Sequence, residues 1–512
     1  MVQSKTIAIT MAFILLLIGA VFLSKDLGSG EQLFGDSYLT LERSHGFQKY
    51  DDWFSVYSAH HPSFQKPPLQ YWLTAFGSML GLSDLLSLRL PSLIFFLGLA
   101  ITSGFVSYLL SNHNPWTVPA TVLLMGCSLL LIKLSRSGLL DTGMGFFIMI
   151  SLLTFFYAKE NSKSWILCGL FSGLGAMQKV PVAFIYIAIM LFILRKRDGY
   201  YQWSSLRENK DFNRGLSLSI ALFLFWPIVQ TFRYGIDYIN SAIGIEMVQR
   251  FTPLGEKKIA TINFLSWLRW PHWLWKDLHV IGVIAIACVI LVLFCRRLRH
   301  NHLLFALSII IVIVAVAFSL ATGKVYDRHI VVLTPLLVCV TVVVLSRFIS
   351  WKPGIFIISM IFVGIYFGHI KKSMEEINNN HHGYNYPLVQ KYTHLIDEFK
   401  NKDDYVVLDR SITPSGAYGY FGTGRDGYSG PKFLDRKALK ENSQYTVKEE
   451  SLREIKSYTR QAENKESFIG FTRQSYKPAM EEVLGPIEVL KSSGEFMVWR
   501  SKIVSAQNIL SQ

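Results

Sequence analysis

For roughly 370 residues this chain alternates long apolar runs with polar stretches, and then the alternation stops. Apolar runs recur at about 7–23, 69–82, 88–110, 117–134, 139–157, 165–178, 180–195, 216–233, 277–295, 303–321, 329–346 and 353–370. Most approach the ~20 residues a helix needs to cross a bilayer. Beyond about residue 371 shorter patterns take over. Helical periodicity covers 386–400, Tyr405-Val406-Val407-Leu408 and Phe468-Ile469-Gly470-Phe471 read as buried strands, and 487–501 reads as a hairpin turning at Ser492-Ser493-Gly494. The pattern predicts a multi-spanning α-helical membrane protein over 1–370, followed by a soluble α/β domain over 371–512.

Two long polar loops, 24–87 and 234–276, interrupt the first part. The second ends in Trp267, Trp270, Trp273 and Trp275, an aromatic belt of the kind found at a membrane interface. Orientation follows from Lys and Arg, which favour cytoplasmic loops, and three clusters stand out: Arg195-Lys196-Arg197 through Arg214, Arg296-Arg297-Leu298-Arg299, and Arg347 to Lys352. Working outward from them, the N-terminus with Lys5 lies inside. Both long loops, Arg89, the Arg136–Asp141 turn, Lys179, the Lys324–Arg328 turn and the C-terminal domain lie outside. That arrangement requires an odd number of crossings, yet twelve runs are present. The 69–82 run, about fourteen residues ended by Gly81, is expected to lie in the interface or re-enter without crossing. The alternative is 165–178, whose Gly169, Gly173 and Gly175 also suit close helix packing. A split elsewhere gives thirteen, so 11–13 spans and an odd count are expected. The residues after the first run, Leu23-Ser24-Lys25-Asp26, lack a signal-peptide cleavage pattern, and the run reads as a retained anchor.

Composition agrees. Charged residues make up 17% against about a quarter in soluble domains, which excludes an ordinary soluble enzyme. By direct count the tail from 371 carries 21 Lys+Arg and 19 Asp+Glu, so most of the net +15 belongs to the membrane part. There it fixes orientation, and no nucleic-acid partner is called for. All five cysteines lie in or beside apolar runs, without a disulfide framework or a CxxC pair. The Gly- and Tyr-rich stretch from Ser415 to Gly430 lacks the Gly-Lys-Ser/Thr of a phosphate loop.

The first loop concentrates the chemistry. It holds Gly35-Asp36-Ser37-Tyr38, His60-His61-Pro62 and Gln65-Lys66-Pro67-Pro68-Leu69-Gln70-Tyr71-Trp72, with Arg89-Leu90-Pro91-Ser92 beginning the next span. Asp36 suits either a base that takes a hydroxyl proton or the start of a helix. Lys66 precedes two prolines that open an apolar helix, where a cation opposes the helix dipole. A phosphate would offset it, as would anionic lipid headgroups. Other charged turns follow at Ser135-Arg136-Ser137-Gly138-Leu139-Leu140-Asp141, Gln178-Lys179-Val180-Pro181-Val182 and Thr322-Gly323-Lys324-Val325-Tyr326-Asp327-Arg328-His329. Glu246 and Arg250 form an i,i+4 pair in the second loop. Cations near a bilayer are expensive singly, but gathered from separate spans they suit a dianionic lipid phosphate.

In order and spacing these segments resemble the polyprenyl-phosphate-sugar-dependent GT-C glycosyltransferases, the superfamily of protein O-mannosyltransferases and lipid A aminoarabinose transferases. The resemblance extends over about residues 7–350 and is most specific in the first loop. It implies a GT-C fold and inverting transfer of a sugar from undecaprenyl, dolichyl or another polyprenyl phosphate. The acceptor is a lipid, glycan or protein on the outer face of the inner (plasma) membrane. It implies Asp36 as the one base needed, because a lipid phosphate leaves unprotonated. Lys66, Arg89, Lys179, Lys324 and Arg328 would hold the donor phosphate, with Arg136, Asp141, Glu246, Tyr38 and His61 in supporting or acceptor-side positions. In relatives the C-terminal domain covers the active site on the outer side.

The chain departs from the family at three places. Ser37 replaces a second acid, Gln65 replaces the Glu of a Glu-Lys-Pro, and Met247 replaces a histidine that binds metal with that Glu. Two metal ligands are therefore missing, so no metal of that kind and no cofactor is expected. His45, His60, His61 and His272 match no known metal-site spacing. These departures keep a catalytically inactive scaffold in view. A lipid transporter or flippase is disfavoured, since charges cluster at span ends and the two halves do not repeat. The absence of any Asn-x-Ser/Thr acceptor favours a bacterial periplasm over a eukaryotic lumen.

Overall fold

The computed structural model describes residues 2–29, 32–33, 35–58, 61–242, 268–320, 326–379, 384–409, 428–429 and 466–502. In chain order the helices are α1 (Val2–Ser24), α2 (Gly35–Lys49), α3 (Leu69–Met79), α4 (Asp84–Leu110), α5 (Thr117–Met125), α6 (Leu129–Ser135), α7 (Asp141–Tyr157), α8 (Ser164–Gln178), α9 (Val182–Leu194), α10 (Lys210–Tyr234), α11 (Arg269–Leu278), α12 (Val280–Phe294), α13 (His302–Leu320), α14 (Thr334–Phe348), α15 (Gly354–Asn379), α16 (Tyr386–Phe399) and α17 (Lys477–Leu484). The chain divides into two compact units, Met1–Ser29 with Phe64–Ile377, and Gly30–Ser63 with Asn378–Gln512.

The first unit is a helix bundle, and the contacts at its two ends sort the charges. At one end Lys5 lies 5.6 Å from the Tyr108 ring, Trp116 donates to Ser4 Oγ at 3.2 Å, and Asn301 donates to the Leu110 carbonyl at 2.7 Å. Arg347 donates to Asn112 there at 3.1 Å, and the Arg197 and Arg299 guanidinium groups stack over Phe305. All three basic clusters thus share one end with Lys5. The other end joins the tail of α1 to the starts of α4 and α7 and the end of α8. Ser92 Oγ donates there to the Leu139 carbonyl at 3.1 Å, and Gln178 to Gln70 at 2.8 Å.

Among the described residues eleven passes run between these ends: α1, α4, the α5–α6 pair, α7, α8, α9, α10, α12, α13, α14 and α15. Five helices are long and apolar enough to cross a bilayer, and six if the bent pair counts as one. Of the shorter passes, α14 is buried from Thr334 through Val344, which explains its all-round apolar sequence, whereas α9 and α12 keep an exposed apolar face. α3 does not traverse. Gln70 in its first turn meets Gln178, while near its end a Cβ added at Gly77 would lie 3.1 Å from Ser87 at the start of α4. Its eleven residues rise only ~16 Å, and Phe76, Met79 and Leu80 are exposed, as suits a helix lying in a membrane interface. The glycines of α8 mark close packing: an added Cβ would lie 1.9 Å from the Gly215 carbonyl at Gly169 and 2.6 Å from Leu222 at Gly173.

Residues 117–134 read as one apolar run, but the helix breaks there by 75° between α5 and α6. Ser128 caps α6 by accepting from the Leu131 amide. The break is held from elsewhere: the Asp277 carboxylate, 3% exposed, accepts from Ser128 Oγ at 2.6 Å, Leu130 N at 3.0 Å and Thr334 Oγ1 at 2.9 Å. A buried charge with three donors is well satisfied.

The second unit has a five-stranded sheet in the order β6-β5-β7-β9-β8, from β5 (Asp404–Leu408), β6 (Tyr428–Ser429), β7 (Ser467–Arg473), β8 (Glu488–Ser493) and β9 (Phe496–Lys502). β5 pairs parallel with β6 and β7, while β9 runs antiparallel to both β7 and β8. Alternation sends Val406, Leu408, Ile469, Phe471 and Val498 to one face with Tyr392 and Ile396 of α16. Tyr405, Val407, Phe468, Met497 and Trp499 face Met480 and Leu484 of α17 on the other. Asp404, fully buried, accepts from Arg500 Nη2 at 2.9 Å and from Ser467. The expected helix, strands and hairpin are all present.

The units divide the chain differently from the expected boundary at 370. The long helix α15 carries the first unit to Ile377, and residues 30–63 of the first loop group with the C-terminal sheet domain. A short backbone ladder contributes to this, since β1 (Gln32–Leu33) pairs antiparallel with β4 (Tyr384–Asn385). Two-residue strands carry no readable pattern.

Candidate active site

Asp36 lies in the first turn of α2, exposed, with its carbonyl accepting from Thr40 Oγ1 at 3.1 Å. The helix begins at Gly35, so the acid sits where its charge offsets the helix dipole. The rest of α2 is held firmly. Glu42, 5% exposed, accepts from Ser58 Oγ at 3.1 Å, and Phe47 stacks on Trp53. Ser58 belongs to a small hairpin of β2 (Tyr57–Ser58) and β3 (His61–Pro62) that presents an exposed His61. Tyr38 is fully buried and helps fix the helix.

In the bundle, Lys66 stands two residues before the Pro68 that precedes α3. The pair of prolines costs no hydrogen bond at a helix start. Lys179 ends α8 and Asp141 begins α7; their Nζ and Oδ1 atoms are 2.6 Å apart, with side chains 13% and 3% exposed. Each charge favours its own helix terminus as well as the other charge. Asp141→Ala or Lys179→Ala strands a buried charge and should cost ~3–5 kcal/mol, whereas replacing both by Leu and Met should be close to neutral. Thermal unfolding in detergent checks this, and single variants as stable as the parent would contradict it.

Arg89 and Arg136 do a different job. Arg89 Nη1 donates to the carbonyls of Leu27 and Ser29 at 3.0 and 2.7 Å, and Arg136 Nη1 donates to those of Leu23 and Lys25. Both are buried, and together they fasten the chain as it leaves α1. Burial draws the Arg136 pKa below the usual arginine value, with Asp26 opposing it. Arg328 sits in a 3-10 turn, Asp327–Val332, beside Tyr326, whose ring its guanidinium stacks on at 5.0 Å. That turn packs against α7, Val331 lying 3.4 Å from where a Cβ on Gly145 would be, one turn from Asp141.

Lys66, Arg89, Arg136, Asp141 and Lys179 are therefore gathered at the end of the bundle opposite the basic clusters. Glu246, Met247, Arg250, Trp267, Lys324 and His60 lie outside the described residues. Among the described residues no three His, Cys, Asp or Glu side chains stand together as a metal's ligands would. Sequence reasoning missed Asp277 and the Gln70–Gln178 pair. Their signal was a lone polar residue at the edge of, or within, an apolar run.

Residues 65–229 match the family model of dolichyl-phosphate-mannose-protein mannosyltransferase. No curated protein matches the sequence. The structure of ArnT from Cupriavidus metallidurans bound to undecaprenyl phosphate is similar, with a TM-score of 0.66 at 14% identity, over 96% of this chain and 98% of that one. Archaeal oligosaccharyltransferase AglB from Archaeoglobus fulgidus, in complex with an inhibitory peptide and a dolichol-phosphate, gives 0.55 at 11% identity over 90% of this chain and 69% of that one. Arabinofuranosyltransferase AftD from Mycobacteria gives 0.53 at 10% identity over 97% of this chain and 40% of that one. The fold is the GT-C fold that the first loop implies.

Proposed function

We propose that this chain, which has the GT-C fold and whose residues 65–229 match the dolichyl-phosphate-mannose-protein mannosyltransferase family model, transfers a sugar from a polyprenyl phosphate to a lipid, glycan or protein acceptor. Transfer takes place on the outer face of the plasma membrane, with the N-terminus and the three basic clusters cytoplasmic. The observation that carries this reading is the likeness, over nearly all of both chains, to a transferase whose structure holds undecaprenyl phosphate. The separation of Lys5 and the basic clusters from Lys66, Asp141 and Lys179 supports the orientation.

Asp36 takes the acceptor proton as its oxygen attacks the anomeric carbon, the carbon–phosphate oxygen bond breaks, and the polyprenyl phosphate departs as an anion. Lys66 is the principal phosphate contact, with Lys324 and with Arg328 of the turn before α14. Lys179 reaches the phosphate only as part of its pair with Asp141, and Arg89 and Arg136 shape the loop. Glu246 and His61 belong to the acceptor side, while the buried Tyr38 supports α2 beneath Asp36. Purified protein in vesicles with a radiolabelled polyprenyl-phosphate sugar and native membranes as acceptor tests the reading. Label should leave the donor for membrane acceptors. Label that crosses the bilayer still on its lipid indicates a flippase, and label that does neither indicates an inactive scaffold.

A further inference from the structure

We infer that the Gln70–Gln178 pair is a positioning device that sets α3, and with it Lys66, against α8. The inference rests on the phosphate-binding role proposed for Lys66. Both amides are fully buried, and Gln178 Nε2 donates to Gln70 Oε1 at 2.8 Å and to the Leu140 carbonyl at 3.3 Å. Each amide stands in an otherwise apolar helical stretch, where an unpaired polar group is costly.

The interfacial helix depends on this bond. α3 is short, Pro68 gives it no side-chain cap, and its far end exposes Phe76, Met79 and Leu80. Packing along α4 fixes its flank, and Trp72 meets Trp226 of α10 edge to face. Gln70 follows Lys66 by four residues, across the two prolines that lead into α3, and Gln178 is the neighbour of Lys179, whose ammonium is tied to Asp141. One hydrogen bond therefore connects the start of α3 to the end of α8 and the start of α7. The third helix leaves room for it: a Cβ on Gly143 would lie 2.3 Å from Gln178 Nε2 and 2.7 Å from its Cδ. Gln70 Nε2, Gln178 Oε1 and the Thr74 and Thr142 hydroxyls are buried without a further partner among the described residues. The bond between the two amides is the shorter of the two that Gln178 makes here, and the one that reaches α3.

Methionine keeps the volume of glutamine and removes the bond, so Gln70→Met, Gln178→Met and the double variant separate positioning from folding. Gln178→Met leaves the Gln70 amide buried and unpaired, Gln70→Met leaves Gln178 only its longer bond to the Leu140 carbonyl, and the double change removes both polar groups and recovers stability. Each should raise the donor KM about threefold to tenfold with kcat nearly unchanged, and the double should keep the raised KM although its thermal stability returns. A second readout needs no turnover: in a Lys66→Cys protein, adding Gln178→Met should change the rate of thiol labelling by a water-soluble maleimide at least about threefold. A double variant with the parent donor KM, or labelling that Gln178→Met leaves unchanged, overturns the inference. If Lys66→Ala itself binds donor normally, the proposed phosphate contact fails instead, and the labelling result still decides whether the pair positions α3.

Discussion

Asp36→Asn should slow sugar transfer by about 10²–10⁴-fold while the protein stays folded and binds donor as before. The size of the effect follows from the chemistry. An alcohol is a poor nucleophile until its proton is taken, and the lipid phosphate needs no acid to leave, so one base carries the proton transfer. The asparagine amide keeps the side-chain shape and starts a helix well, and only the charge that favours the α2 terminus is lost, at ~0.3–1 kcal/mol. Single-turnover transfer, with donor binding and thermal unfolding alongside, reads the three quantities separately. Transfer at the parent rate removes Asp36 from the mechanism, and loss of donor binding assigns it a different role.

Lys66→Ala should weaken donor binding most among the cations, by about 10- to 100-fold, because a charge-assisted contact contributes ~1.5–3 kcal/mol and each 1.4 kcal/mol is tenfold. Lys179 shares its charge with Asp141 at 2.6 Å, and the Arg89 and Arg136 guanidinium groups spend donors on the carbonyls that follow α1. Lys66→Arg should recover part of the loss, since the charge returns with altered geometry. Binding of undecaprenyl phosphate itself, measured by titration, is the readout. A larger loss from Arg328→Ala than from Lys66→Ala would move the main phosphate contact to the turn before α14.

Much of this architecture is written in hydrophobic periodicity. The apolar runs become helices, and the shortness of 69–82 identified α3 as the helix that does not cross. The basic clusters gather at one end because each lies on the loop that its run length dictates. Where tertiary partners decide the outcome, periodicity is silent. The 75° break between α5 and α6 lies inside one unbroken apolar run, and it is held by Asp277 from about 150 residues away in sequence. Arg89 and Arg136 announce a charge but not its partner, so a guanidinium that fastens backbone carbonyls looks in sequence like one that holds a phosphate. Lys179 likewise shows its charge, while Asp141, which neutralises it, arrives from another helix. Residues 30–63 look like a membrane loop because they lie between two apolar runs, and the ladder that pairs Gln32 and Leu33 with Asn385 and Tyr384 is too short to leave a pattern.

The central claim is a single displacement on a sugar linked to a polyprenyl phosphate. Purified protein in vesicles, given a donor whose ¹³C-labelled sugar has a known anomeric configuration, provides the most direct measurement, with NMR of the released glycoside as the readout. One base and no covalent intermediate predict the opposite configuration in the product. A product that retains the donor's configuration would contradict the account.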